Sequence, residues 1–349
     1  MPTVNHEVLR GLIERLLIGA GAKAEEAPII ARHSVGANLA GHDSHGVIMI
    51  PTYINRVEKG DIVPGAPWQI KQETATSTVV DGNWGWGYVV SERATHYTIE
   101  KAKKSQVAAT TIVQQSHIGR VAAYPLMCAR EGMIAIMTAD SGRGPKAVAP
   151  FGGREARLGT NPISIAVPSA KGGALVVDMA TSAVAAGKVN LAKSKGVEIP
   201  EGWIVDGEGQ PTTDPHQFGK GAVLLPLGGP EGHKGYSLAV MVEILSALLP
   251  GLGFGVSPTG RHNDGCFLAC FNVEAFRPLE TFKNEVAEFA DYLKDTQPAA
   301  GFEEVLYPGE VELRTEAARR IEGIPVDDTT WAKLKALGDG YGFGDAFNV

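Results

Sequence analysis

Apolar side chains recur at three- and four-residue steps through the first sixty residues, the period of a helix with one buried face. This predicts helices over 5–19 and 25–40, stopped by Gly21 and Gly41. A third helix is predicted over 47–59, ending at Gly60, with Pro51 in its first turns where a missing N–H is tolerated. From residue 76 the pattern changes. A strand at 76–80 enters the turn Asp81-Gly82-Asn83, a helix follows over 90–104, and the β-branched run 107–113 reads as a buried strand. A helix over 119–132, strands at 133–138, 163–167 and 174–178, a strongly apolar helix over 234–249 and a strand at 267–272 complete the middle of the chain. After Arg277 the helical period returns at 279–295, 311–321 and 328–337, followed by a glycine-rich tail at 338–344 expected to be flexible or docked. Strand, helix and strand in succession argue for an α/β fold. Helical ends around a sheet-rich middle predict a helix-rich domain of residues 1–75 with 276–349, enclosing an α/β domain of 76–275.

Composition narrows the function classes. With 44% apolar and 20% charged residues, the chain has ordinary globular composition, and 349 residues suffice for a core without disulfides. The 32 basic against 39 acidic side chains leave a charge of −7, which argues against a broad nucleic-acid or anionic-lipid surface. Three cysteines (Cys128, Cys266, Cys270) suit a reducing compartment. No signal-like opening and no apolar run of about 20 residues is present, so the expectation is a cytoplasmic protein with no membrane contact.

Two nucleotide-binding signatures are missing: no strand leads through GxGxxG into a helix, and no GxxxxGK[ST] occurs. Five other segments carry chemistry. Gly41-His42-Asp43-Ser44-His45-Gly46 brackets polar side chains between glycines, and reads as a ligand loop, as helix capping, or as part of a zinc site lacking an evident third ligand. Gln115-Ser116-His117-Ile118-Gly119-Arg120 follows a strand end and opens the next predicted helix, where an acid/base histidine is useful and the cation Arg120 lies one helical turn away. Residues 148–155 leading to Leu158-Gly-Thr160-Asn161-Pro162 make a rigid loop with backbone donors, or simply an elaborate turn. Asp178, at the end of Val177-Asp178-Met179-Ala180, suits either a ribose hydroxyl or a helix cap. His233 and Lys234 open the apolar helix, where N–H groups and a lysine suit a diphosphate.

Taken in order with Pro200-Glu-Gly-Trp203 and Pro308-Gly-Glu310, these segments resemble the malate/L-lactate dehydrogenase family, also known as the sulfolactate or ureidoglycolate dehydrogenase group. Residues 38–46 with His117-Ile-Gly-Arg120 look most like its hydroxycarboxylate dehydrogenase B branch. The resemblance spans nearly the whole chain. It implies a non-Rossmann, sulfolactate-dehydrogenase-like α/β fold, a homodimer, and NAD- or NADP-dependent interconversion of 2-oxo and 2-hydroxy acids. It assigns His117 as acid/base, with Ser44 and His45 beside it. Arg120, Tyr53, Thr160 and Asn161 fall to the substrate. His45, Gly119, Arg120, Val121, Val177, Asp178, Met179, Ala180, His233, Lys234, Asp264 and Glu310 fall to the cofactor, and no metal is expected.

One departure stands out. Many members carry an arginine three residues after the Ser-His-Gly glycine, where this chain has Met49, and methionine cannot clamp a carboxylate. Arg120 or another cation then holds the substrate carboxylate, or the pocket prefers a more apolar substituent. Asp178 would repel a 2′-phosphate and favours NAD, whereas Lys188, Lys193 and Lys195 leave NADP open. Two rival readings follow: a reductase of cyclic imino acids (piperideine-2-carboxylate type) on the same fold, and a metal-dependent hydrolase built on His42, Asp43 and His45.

Overall fold

The computed structural model describes residues 1–140, 143–257 and 260–348. The chain opens with β1 (Thr3–Val4), α1 (His6–Gly19), α2 (Ala27–Leu39) and, after two short 3-10 turns, α3 (Ile50–Glu58). The middle runs β2 (Gln69–Glu73), β3 (Ser77–Gly85), α4 (Gly87–Ser105), β4 (Val107–Gln115), α5 (Ala123–Arg130), β5 (Met133–Ala139), β6 (Ile163–Pro168), β7 (Ala174–Met179) and α6 (Ala186–Lys195). Three two-residue strands, β8 (Ile204–Val205), β9 (Pro211–Thr212) and β10 (Val223–Leu224), precede α7 (Gly232–Glu243), which continues as a π-helical turn, Ile244–Leu248. The chain closes with β11 (Cys266–Asn272), α8 (Leu279–Lys294), α9 (Glu310–Glu322), β12 (Ile324–Pro325) and α10 (Asp328–Gly340).

Seven strands form one sheet in the order β2-β3-β4-β11-β5-β6-β7. Only β3 and β4 run parallel, joined through α4; every other neighbouring pair is antiparallel. The inner faces of β4, β5 and β11, built of Ala, Met, Cys, Ile and Leu, pack against α4 and α5 around Ile112, Tyr124, Met137 and Leu268. The π-helical turn covers β5 and β11 from elsewhere, with Ser246 hydrogen-bonded to Thr138 at 2.7 Å. A second core gathers Leu9, Leu16, Ile30, Val35, Tyr53, Trp86 and Tyr88 with Ile324, Leu334 and Phe347, so both ends of the chain share it. Pairing of β1 with β12 ties the same ends together. A third core, around Val148, Val189, Ile204 and Leu224, supports the small β8–β10 sheet. Among the described residues no helix is long and apolar enough to cross a membrane.

The predicted helix over 119–132 is shorter than its pattern. Residues 116–120 are irregular, because Gly119 takes a left-handed φ of 72°, and α5 starts only at Ala123. Arg120 therefore does not lie one helical turn from His117, as the sequence pattern had it. β2, α6 and the small sheet carry no periodic signal strong enough to predict. The C-terminal tail docks: Phe347 is buried against Trp331 and Leu334. Helix α8 faces the sheet side, with Leu279 beside Gly132 and the Lys283 carbonyl accepting from Ala170 N–H at 3.1 Å.

Candidate active site

The parallel pair β3–β4 delivers His117 just beyond the carboxyl end of β4. That end is held tightly. Gln114 adopts a left-handed φ of 52°, and its N–H donates to Asn263 Oδ1 at 2.7 Å. Gln115 and Asp264 exchange two hydrogen bonds, Asp264 N–H to the Gln115 carbonyl at 3.1 Å and Gln115 Nε2 to the Asp264 carbonyl at 3.2 Å. The start of α4 presses on the same turn: a Cβ on Gly87 would sit 2.1 Å from the Ser116 carbonyl oxygen. A Cβ on Gly119 would sit 2.2 Å from the Tyr88 ring. Glycine at both places lets the His117 turn approach α4 more closely than any other residue allows.

His117 stands between two other imidazoles. The His45 ring stacks on it at 5.8 Å between centroids and 22° between planes, and His262 meets it edge-on at 6.0 Å. Its Nδ1 is 2.6 Å from the Tyr53 hydroxyl, which in turn is 3.2 Å from the Tyr88 hydroxyl. Nε2 is thereby the nitrogen left for chemistry. One edge of the ring is partly exposed, yet the atoms crowded around it push its pKa down to about 3, against the opposing pull of the Asp264 carboxylate. Asp264 is itself held ionised. His262 Nε2 lies 2.6 Å from one carboxylate oxygen and Ile118 N–H donates to the other at 3.1 Å; these outweigh burial and hold the acid below its usual range.

The wall beside His45 is built from the loop the glycines bracket. Ser44 Oγ is 3.0 Å from His45 Nδ1. Burial lowers the His45 pKa, and the nearby His42 adds to that. Asp43 is gripped by Arg319 at 2.7 Å and by Asn38 Nδ2 at 2.7 Å, and Asn38 Oδ1 accepts from Val47 N–H at 2.9 Å. Asp43 thus anchors the loop to α9 and α2, and His42 turns to Glu312 at 3.3 Å. The two histidines that a zinc site would have shared point to different partners, and among the described residues no three His, Cys, Asp or Glu side chains gather as a metal cage.

Arg120 and Asp178, both nearly buried, pair through Arg120 Nε at 3.2 Å. Among the described residues, the buried Arg120 Nη2 has no partner. Both charges act on His45, which places them at the same cleft. Val177, Asp178 and Met179 close β7, along whose edge the segment before α9 runs: Val176 N–H donates to the Pro308 carbonyl at 3.2 Å. Glu310 follows there, buried and held by Lys294 at 2.6 Å, by Arg314 at 2.6 Å and by Tyr307 N–H. Val121 is buried and Ala180 half-buried beside these elements.

The remaining sequence-predicted residues make these contacts. Asn161 is fully buried and its Nδ2 donates to Glu243 at 2.8 Å and to the Ala239 carbonyl at 3.1 Å, toward α7. The Thr160 carbonyl accepts from Thr181 N–H at 2.9 Å. His233 and Lys234 lie exposed at the start of α7, with contacts to Glu231 and Phe151. Met49 packs into the helical core. Conversely, Tyr88 and His262 sit against the His117 system without having been singled out. Tyr88 opens α4 and reaches the His117 system through the Tyr53 hydroxyl, a tertiary contact that leaves no local pattern; His262 stands two residues before Asp264, and that proximity is its one signal in the sequence.

The chain matches the model of the malate/L-lactate dehydrogenase family over residues 4–335. It is 38% identical over 332 residues to an L-sulfolactate dehydrogenase of Methanocaldococcus jannaschii, covering 93% of each chain. A hydroxycarboxylate dehydrogenase B of Escherichia coli is 34% identical over 333 residues, 94% of this chain and 91% of that one. The crystal structure of malate dehydrogenase from Entamoeba histolytica superposes with a TM-score of 0.92 at 32% identity, covering 97% of this chain and 98% of the other. A half-buried histidine at a strand end, walled by a Ser-His loop and a nearly buried arginine–aspartate pair, thus lies in a chain that belongs to the malate/L-lactate dehydrogenase family.

Proposed function

We propose that the protein interconverts 2-oxo and 2-hydroxy acids with a nicotinamide coenzyme, His117 serving as acid/base. The observation that carries this reading is the set of contacts around His117: one ring nitrogen taken by Tyr53, the other left over, and a fixed charge environment about it. The half-exposed end of β7, with the Asp178 carboxylate on it, fits a polar molecule carrying ribose hydroxyls. When bound, the coenzyme supplies or takes the hydride.

The protein's own groups handle the proton. His117 is neutral at pH 7, so in the oxidative direction Nε2 is ready to take the hydroxyl proton, a contribution of roughly 10²–10⁴-fold. In the reductive direction the carboxylate of a bound 2-oxo acid raises the imidazole's proton affinity, so proton uptake accompanies substrate binding. Asp264, ionised beside His262, stabilises the imidazolium that forms. Met49 offers no charge, and Arg120 Nη2 is the donor we assign to the substrate carboxylate, with Ser44 and His45 orienting the other side; His45, Arg120 and Asp178 border the coenzyme. Gly119, Val121, Val177, Met179, Ala180, Asp264 and Glu310 belong to the same assignment, as do His233 and Lys234. Tyr53 acts through His117, and Thr160 and Asn161 act through the loop they brace.

Asp178 supports NAD over NADP, because its carboxylate opposes a 2′-phosphate. Free, buried cysteines support a cytoplasmic location. A homodimer is supported by exposed Met241, Ile244 and Leu248, which follow one face from α7 into its π-helical turn, with Leu249 and Phe254 beyond. The core shared by α1–α3 with β12, α10 and the C-terminal tail supports a helical domain of 1–75 with 276–349 around the 76–275 domain, with α8 packed back on the sheet.

The test is a coenzyme-oxidation screen of purified protein with NADH and NADPH across small 2-oxo acids and piperideine-2-carboxylate. Turnover of 2-oxo acids supports the reading; turnover confined to the cyclic imine would replace it with imine reduction.

A further inference from the structure

Two buried tyrosines connect His117 to the backbone of the loop opposite. Tyr53 and Tyr88 are 1% and 2% exposed, so their hydroxyls have no water to turn to. Each carries one hydrogen, which makes the count decisive. The His45 carbonyl can only accept, and the Tyr88 hydroxyl lies 3.3 Å from it. With the Tyr88 hydrogen spent there, the Tyr53 hydrogen goes to the Tyr88 oxygen at 3.2 Å. The Tyr53 oxygen must then accept from His117, 2.6 Å away. The opposite direction would have Tyr53 donate to His117 and Tyr88 donate to Tyr53, and it would strip the half-buried His45 carbonyl of this donor.

We infer that Tyr88 is a positioning residue: through Tyr53 it fixes the His117 tautomer with hydrogen on Nδ1 and a bare Nε2, and links that choice to the His45 loop. Nothing in the local sequence marks Tyr88 for this, and its ring is separately held by stacking on His33 at 5.5 Å. Burial also raises the pKa of both tyrosines, so both hydroxyls keep their hydrogen through the working pH range. A histidine whose tautomer is set by the bond at its other nitrogen is poised before substrate arrives.

The inference rests on the acid/base reading of His117 for its catalytic consequence, but the tautomer itself is read without turnover. In the coenzyme-free protein, ¹⁵N-histidine NMR should show His117 protonated at Nδ1 and bare at Nε2. Tyr88→Phe keeps the ring and removes one hydroxyl; Tyr53 is then free to donate to Nδ1, and a population with hydrogen on Nε2 should appear. Oxidation of the 2-hydroxy acid should fall roughly tenfold in kcat, the equivalent of one net hydrogen bond, with the coenzyme KM unchanged. In the Tyr53→Phe background the second substitution should add nothing further. A wild-type spectrum with Nε2 protonated overturns the inference even if Tyr88→Phe does not fold. So does a folded Tyr88→Phe variant with an unaltered tautomer and kcat. Absence of any 2-oxo acid turnover alongside the expected spectrum would sink the functional reading and leave the tautomer assignment standing.

Discussion

Replacing His117 with glutamine should make the protein less sensitive to acid, even as it removes activity. In the folded chain the imidazole's pKa is pushed to about 3, whereas in the unfolded chain it is near 6.5. Between those values the unfolded state binds a proton that the folded state refuses. Stability from this group is therefore complete above pH 6.5 and is lost as pH falls toward 3. Each unit corresponds to about 1.4 kcal/mol, so at pH 4.5 the loss is about 2–3 kcal/mol. Urea unfolding of wild type and His117→Gln at pH 7.5 and pH 4.5 reads the effect, because the other titrating groups are present in both. Wild type should lose about 2–3 kcal/mol more than the variant between the two pH values. Parallel losses would show that His117 is not held neutral by its surroundings, and the account of its proton affinity would have to be withdrawn.

Two further substitutions probe the frame of the site. Gly119→Ala forces an L side chain into a left-handed conformation, costing about 1–2 kcal/mol, and drives its Cβ into the Tyr88 ring; thermal unfolding should shift down and turnover should fall with it, whereas a wild-type Tm would contradict the packing described. Asp178→Ala leaves the buried Arg120 guanidinium with its carboxylate gone, a loss of about 3–5 kcal/mol that chemical denaturation would register. A neutral result would mean that water or another acid compensates Arg120.

Much of this architecture is readable without coordinates where one segment decides its own fate. The helical period at 5–19 and 25–40 and the β-branched run at 107–113 match α1, α2 and β4, because each buries a face set by local spacing. The exposed β2 has no such face to alternate against: all five of its residues face solvent. Gly119 hides a second difficulty, since apolar spacing around it continues while its left-handed φ breaks the helix. At the site, His117 is legible from its place after a strand. Tyr53 as its partner, Tyr88 behind it and the Arg120–Asp178 pair are not, because those contacts join residues 35 to 64 positions apart. At Asn161 nothing in the sequence signals the buried hydrogen bond from its Nδ2 to Glu243, because that contact joins residues 82 positions apart.

The central claim is that His117 exchanges the proton while a hydride moves between coenzyme and acid. The most direct measurement is kcat of His117→Ala, beside wild type, with the best 2-oxo acid, together with coenzyme affinity by fluorescence titration. The account predicts unchanged coenzyme binding and a loss of about 10²–10⁴-fold in kcat. Turnover within a few fold of wild type would contradict it.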